Sequence, residues 1–209
     1  MKEQIRSQDE ATLQAAFEAV FGKAPVYKQK KPKAKDSWST PQPEFDIINA
    51  EFRLNWDVCA SDDNHKLPNY FTIQEDGLKQ SWKGLRCWCN PPYSDPAPWI
   101  RKALWESQRN CALVVMLIKA DPSTAVWREC IAPYAEVRPF DRRVKFVKPE
   151  GITLSAKNKS QSPDFPSVLV IFRDPVLRDF LANRSGCHKF SPPLKIMPAI
   201  YGHKPKKRK

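Results

Sequence analysis

The tetrapeptide Asn90-Pro91-Pro92-Tyr93 is where residue types and spacing in this sequence can do chemistry. Asn90 brings a side-chain carbonyl. Pro91 brings a backbone carbonyl and has no N–H of its own. Two acceptors in a frame stiffened by consecutive prolines can take both hydrogens of a planar amino group on a π-system. The nitrogen lone pair is then turned out of ring conjugation, and Tyr93 offers a face on which a base can stack. Such a nitrogen attacks while neutral and loses its proton afterwards, so no strong base is required. Positioning and a good leaving group supply the acceleration, and the natural electrophile is the methyl of a sulfonium. The plain alternative is a turn with a packed Tyr in a chain that holds 20 Pro. Position argues against it: the motif follows a predicted strand, and open α/β sheets bind ligands at the carboxyl ends of their strands.

The elements that must carry this motif alternate. Residues 43–52 read as a helix and 54–58 as a strand. Residues 86–89 read as a short strand stopped by Pro91-Pro92. Residues 98–108 read as a helix with Ile100, Ala103 and Leu104 on one side. Residues 112–118 are continuously apolar, as a central strand buried on both faces requires. Asp121-Pro122 predicts a helix start, running to about residue 131. Residues 136–140 and 144–147 read as strands, 151–162 as a polar loop, 168–172 as another buried strand, and 174–183 as a last helix. Alternation of this kind predicts an α/β domain with a mostly parallel central sheet and flanking helices. The α/β unit spans 37–185. Before it lie an amphipathic helix (1–22, with a capping-box pattern at Ser7 and Glu10) and a basic Lys/Pro linker (23–36). After it comes a basic tail (186–209).

Charge narrows the partners. Lys plus Arg is 35 against 23 Asp plus Glu, a formal net charge of +12, which points to a polyanion. Gly is scarce at 6, which disfavours a glycine-rich phosphate loop. No apolar run is long enough for a membrane span, and the amino terminus lacks a secretory h-region, so the expected setting is the cytoplasm. The six cysteines are then expected to be reduced. Cys87 and Cys89, with Cys59 and His65, are the one conceivable metal set, but the usual ligand spacing is missing and no metal is expected.

An ordered set of segments makes the chain resemble a known family. These are Trp38-Ser39-Thr40-Pro41, then Asp57-Val58-Cys59-Ala60-Ser61 with Asn64, then Asp76-Gly77-Leu78 and Trp82. Next come Trp88-Cys89-Asn90-Pro91-Pro92-Tyr93-Ser94, Arg143-Val144-Lys145-Phe146 and Phe165-Pro166-Ser167-Val168. Together they resemble the phage DNA N6-adenine methyltransferase (Dam) family. The resemblance implies a Rossmann-like fold and S-adenosylmethionine as donor. It implies that Thr40 and Pro41 lie near the methionine part of the donor, with Trp38 covering it or packing on the sheet edge. It places Asp57 at the opening of the cofactor loop, the Ala60-Ser61 pair within that loop, and Asp76 near the donor adenine. Asn90, Pro91, Pro92 and Tyr93 become the catalytic motif. The plain alternatives are a turn cap for Asp57 and a simple turn for Asp76. The loop 57–64 lacks the Gly-x-Gly of most methyltransferases, which leaves individual donor contacts open.

Arg138, Arg142, Arg143 and Lys145 form a basic cluster, read as a contact surface for duplex DNA rather than a merely solvated face. An adenine inside a duplex cannot reach Asn90, so the reading requires base flipping. A GATC recognition site is implied only by the resemblance. The alternatives are transfer to cytosine N4, RNA adenine N6 or a protein glutamine, or a silent DNA-binding protein on the same scaffold, an idea motivated by the Gly-free loop.

Overall fold

The computed structural model describes residues 36, 38–110, 112–147 and 165–175. The expected amino-terminal helix, nearly all of the basic linker, the polar loop 151–162, the helix 174–183 beyond residue 175 and the basic tail lie outside the described residues.

Helix α1 (Gln42–Phe52) starts where Pro41 and Pro43 fix φ for a first turn, and it buries Phe45, Ile48 and Phe52 on one stripe. It ends at Arg53 in the left-handed region (φ 49), whose N–H bonds the Asn49 carbonyl. The Arg86 guanidinium then caps the freed Phe52 and Arg53 carbonyls, the latter at 3.0 Å. Helix α2 (Ala97–Arg109) buries Trp99, Ile100 and Ala103 on the opposite side of the sheet.

The five strands are β1 (Trp56–Asp57), β2 (Arg86–Cys89), β3 (Leu113–Lys119), β4 (Glu136–Pro139) and β5 (Ser167–Phe172), in the order β1-β2-β3-β5-β4. β1, β2 and β3 pair in parallel, while β5 is antiparallel to both β3 and β4. The mostly parallel sheet expected from the sequence is thus a mixed sheet in which a single strand, β5, runs against the other four. The alternation of side chains splits the core in two. Cys87, Cys89, Val114, Met116, Val170 and Phe172 face α2. Trp88, Val115, Leu117, Leu169 and Ile171 face α1 together with Val144 and Phe146. The result is a mixed α/β architecture consistent with a methyltransferase-like fold.

Three local expectations need correction. The strand at 54–58 shrinks to two residues: Leu54 N–H bonds the Asn49 side chain (2.7 Å), while the Asn55 and Val58 N–H groups still reach β2 carbonyls at 2.8 and 3.0 Å. The helix expected from Asp121 starts three residues later. Thr124 Oγ1 accepts the Trp127 N–H (3.4 Å), so Thr124 and not Asp121 acts as the cap. Beyond that cap the chain is π-helical over Trp127–Ile131, with the Ala132 N–H reaching the Trp127 carbonyl. Residues 144–147 do not form a regular strand. They keep strand-like alternation, with Val144 and Phe146 buried and Arg143, Lys145 and Val147 exposed. They are pinned by a two-bond bridge between Ser39 and Val147, both 2.8 Å.

Candidate active site

Adjacent parallel strands bring the ends of β1 and β2 together, with Asp57 paired to Trp88. A cleft of about 220 Å³ opens there. Its lining holds Trp38, Thr40, Asp57, Ala60 and Ser61 from the expected cofactor set and Asn90 and Pro92 from the expected catalytic set.

Asn90 comes directly after β2. Its Nδ2 donates to the Trp38 carbonyl at 3.3 Å. Its Oδ1 is buried and accepts no hydrogen bond among the described residues. A buried acceptor without a donor is costly in a finished protein and calls for a partner, which in a cleft a ligand can supply. Pro91 is buried, and its carbonyl accepts no bond from another described residue, whereas the Pro92 carbonyl takes the Asp95 N–H at 3.1 Å. The Thr40 hydroxyl, 1% exposed, is a second polar group in the lining with no partner among the described residues.

Asp57 both closes the turn and faces the cleft. Its carboxylate accepts the backbone N–H of Cys59 (3.3 Å) and of Lys66 (3.0 Å), folding the loop back on itself. Asn64 Oδ1 accepts the Ser61 N–H at 2.8 Å and completes the turn. Every residue of this loop has negative φ, since Arg53, Asp76 and Gly84 are the residues at positive φ among those described. Side chains therefore build the turn that glycines build elsewhere, and the missing Gly-x-Gly is no sign of decay. Burial pushes the Asp57 carboxyl up from 3.8 to about 6, against the pull of the two N–H donors. Lys66, half-buried beside it, is lowered by burial, with the Asp57 charge opposing.

The expected residues do not all reach the cleft. Pro41 is buried at the start of α1, where its carbonyl accepts the Phe45 N–H. Asp76 sits at positive φ (55) and pairs with Lys79 at 3.1 Å; Thr72, Ile73 and Gln74 line the wall instead. The turn packs so closely that a Cβ on Gly77 would lie 2.1 Å from the Val58 carbonyl oxygen. Tyr93 lies beside the cleft, edge-on to Phe146 (5.5 Å) and tilted on Phe165 (5.1 Å). Burial holds its phenol well above the ordinary range.

The basic cluster divides. The Arg138 side chain, 14% exposed, bonds Glu51 (2.7 Å) and Glu136 (2.6 Å) and lies over the Phe52 ring at 5.2 Å. It ties β4 to the end of α1. Arg142, Arg143 and Lys145 are exposed. They lead into Phe146 and Val147, which touch Tyr93 and Ser39.

The acidic lining is a feature that motif reading misses. Asp36, Asp62 and Asp63 join Asp57 there, against Lys66 as the cation. One signal is readable in the sequence: three aspartates and no Lys or Arg between 57 and 63 in a strongly basic chain. Cys87 and Cys89 are buried, and burial raises both thiols. Among the described residues, no group of three or more His, Cys, Asp or Glu converges for a metal. No helix there is long and apolar enough to cross a membrane.

Comparison with known proteins extends the pattern beyond these contacts. The sequence model of the family described as DNA N-6-adenine-methyltransferase (Dam) matches residues 28–185. The chain is 33% identical over 142 residues to a DNA N-6-adenine-methyltransferase of Haemophilus phage HP1 (strain HP1c1), covering 66% of this chain and 79% of that protein. It is 31% identical over 105 residues to a DNA N-6-adenine-methyltransferase of Escherichia phage T1, covering 49% of this chain and 44% of that one. The match runs from before the cleft to beyond the last strand, and the chain belongs to the DNA N-6-adenine-methyltransferase (Dam) family of adenine-specific DNA methyltransferases.

Proposed function

We propose that the protein transfers a methyl group from S-adenosylmethionine to N6 of an adenine flipped out of duplex DNA into the strand-tip cleft. The observation that carries this reading is the Oδ1 of Asn90 at the mouth of β2, buried and without a partner among the described residues. It fits an incoming amine donor. Asn90 Oδ1 and the Pro91 carbonyl take the two amino hydrogens, which turns the nitrogen lone pair out of conjugation. The proton leaves to solvent after transfer, and no side chain must act as a strong base. Tyr93, braced by Phe146 and Phe165, provides the aromatic wall beside the base.

The lining also suits the donor. S-adenosylmethionine, when bound, supplies a methyl carbon on a cationic sulfonium with a neutral thioether as leaving group. Among the described residues, four aspartates against one lysine favour a ligand bearing positive charge, and the Thr40 hydroxyl, with no partner there, offers it a hydrogen bond. Thr40, Asp57, Ala60 and Ser61 would hold it. Arg142, Arg143 and Lys145 contact phosphates and offset the unstacking cost of a few kcal/mol.

Sequencing of modified bases in DNA from cells expressing the protein tests this reading. The expected result is N6-methyladenine in one short sequence context, with GATC the first context to inspect. Methylation at cytosine N4, or unmodified DNA, rejects it.

A further inference from the structure

Asp36 and Trp38 touch the tetrapeptide region at two points, the residue that follows it and its first residue. Asp36 accepts the Ser94 N–H on Oδ1 (3.0 Å) and the Ser94 hydroxyl on Oδ2 (2.6 Å), across 58 positions of sequence. Two residues on, the Trp38 carbonyl accepts Asn90 Nδ2. A carbonyl can only accept, so the amide must turn its NH2 toward Trp38 and leave Oδ1 for the incoming amine. The orientation of Asn90 is therefore set by where the Trp38 carbonyl sits. That position is held from one side by Asp36 on Ser94 and from the other by Ser39 on Val147.

We infer that Asp36 and Ser94 are a positioning pair for methyl transfer: their two-point contact registers residues 36 and 38–40 against the tetrapeptide, so that Asn90 presents its oxygen and not its NH2 to the substrate amine. The inference rests on Asn90 being the amine acceptor. Asp36 also lines the cleft and could touch the donor directly. Ser94 is exposed and outside the lining, which separates the two roles.

Steady-state methyl transfer to duplex DNA by the full chain tests the pair, using Asp36→Ala, Ser94→Ala, the double variant, Asp36→Asn and Asn90→Ala, each checked by thermal melting. Asp36→Ala lowers kcat by about tenfold to a hundredfold, the scale of a misplaced reacting group. Ser94→Ala lowers it less, because the Ser94 N–H bond survives. Ser94→Ala leaves KM for DNA and for donor within about twofold, and Asp36→Ala leaves KM for DNA so. The double variant is no slower than Asp36→Ala alone, as one shared contact requires. Asp36→Asn, which keeps an acceptor for the Ser94 N–H, falls between wild type and Asp36→Ala and carries the test if Asp36→Ala does not fold. An unchanged kcat in Asp36→Ala overturns the inference. So do independent, multiplicative losses, or a loss confined to donor KM in Asp36→Ala with Ser94→Ala behaving as wild type. An active Asn90→Ala refutes the underlying function. An inactive Asn90→Ala beside an unimpaired Asp36→Ala refutes the positioning role alone.

Discussion

The cleft at the ends of β1 and β2 and the segment 142–147 carry opposite charge, although they meet through the Ser39–Val147 bridge. Among the described residues, the cleft lining is four aspartates to one lysine. The neighbouring segment exposes Arg142, Arg143 and Lys145. In a chain of net charge +12, the acidic patch is a local exception. The contrast sorts two substrates of opposite sign. On the proposed function, a phosphate backbone is drawn to the basic segment and disfavoured in the cleft, which an uncharged base enters. A cationic donor meets the reverse preference. On the proposed function, the two regions act as separable binding surfaces, with Asn90 between the two substrates.

The separation can be broken, and the largest effect is expected at the join. Asn90→Ala lowers methyl transfer by about a thousandfold or more, since it removes an acceptor used only while the amine is being activated. DNA retention on a filter stays near wild type; equal loss of both assigns Asn90 to folding. Next comes the basic side. Alanine at Arg142, Arg143 and Lys145 together weakens duplex binding by about tenfold to a hundredfold at moderate salt and flattens the slope of log K against log salt by up to about 3. Donor binding in calorimetry stays unchanged. A smaller effect is expected on the acidic side, where Asp57→Asn weakens donor binding by about tenfold while DNA retention holds.

Asp57 also gives the cleft a pH signature. Its folded value, about 6, is above its ordinary 3.8, so between those values the folded protein holds a proton that the unfolded chain has lost. Its contribution to stability is greatest below about pH 4 and falls as pH rises to about 6. Donor binding runs the other way: affinity rises through about pH 6 as the carboxyl ionises, and Asp57→Asn removes that step. A calorimetric titration between about pH 5 and about pH 7.5 reads it. The smallest effect on function belongs to Arg138→Ala. Losing the contacts to Glu51, Glu136 and Phe52 costs about 1–3 kcal/mol of stability in a melting experiment, while the salt slope of DNA binding stays put.

Arg138 also shows what a sequence can and cannot reveal. It stands in the same basic run as Arg143 and Lys145, yet its main partner, Glu51, is 87 positions away. Only the packing of β4 beside α1 separates a buried strut from an exposed cation. The tetrapeptide is legible because its chemistry is local: two carbonyls and a ring fixed in sequence, directly after a strand. The buried strands β3 and β5 are legible as continuous apolar runs. The helix after Asp121 starts later than its sequence suggests because the hydroxyl of Thr124 outcompetes a good-looking Asp-Pro start. Resemblance draws Asp76 toward the donor; in the structure it sits in a turn at positive φ beside Lys79, with Thr72, Ile73 and Gln74 in the cleft lining. The loop 57–66 looks deficient for want of glycine. Its support comes from Asp57 and Asn64, both visible in the sequence but with partners that only the folded turn defines.

The claim that joins the two surfaces is that a substrate amine pairs with Asn90 Oδ1. A crystal structure of the protein with a target duplex and the demethylated donor product addresses it directly. The expected result is an extruded adenine with N6 within hydrogen-bonding distance of both Asn90 Oδ1 and the Pro91 carbonyl, and the donor product among the aspartates. An adenine held elsewhere on the surface, or an Asn90 whose NH2 faces the base, contradicts it.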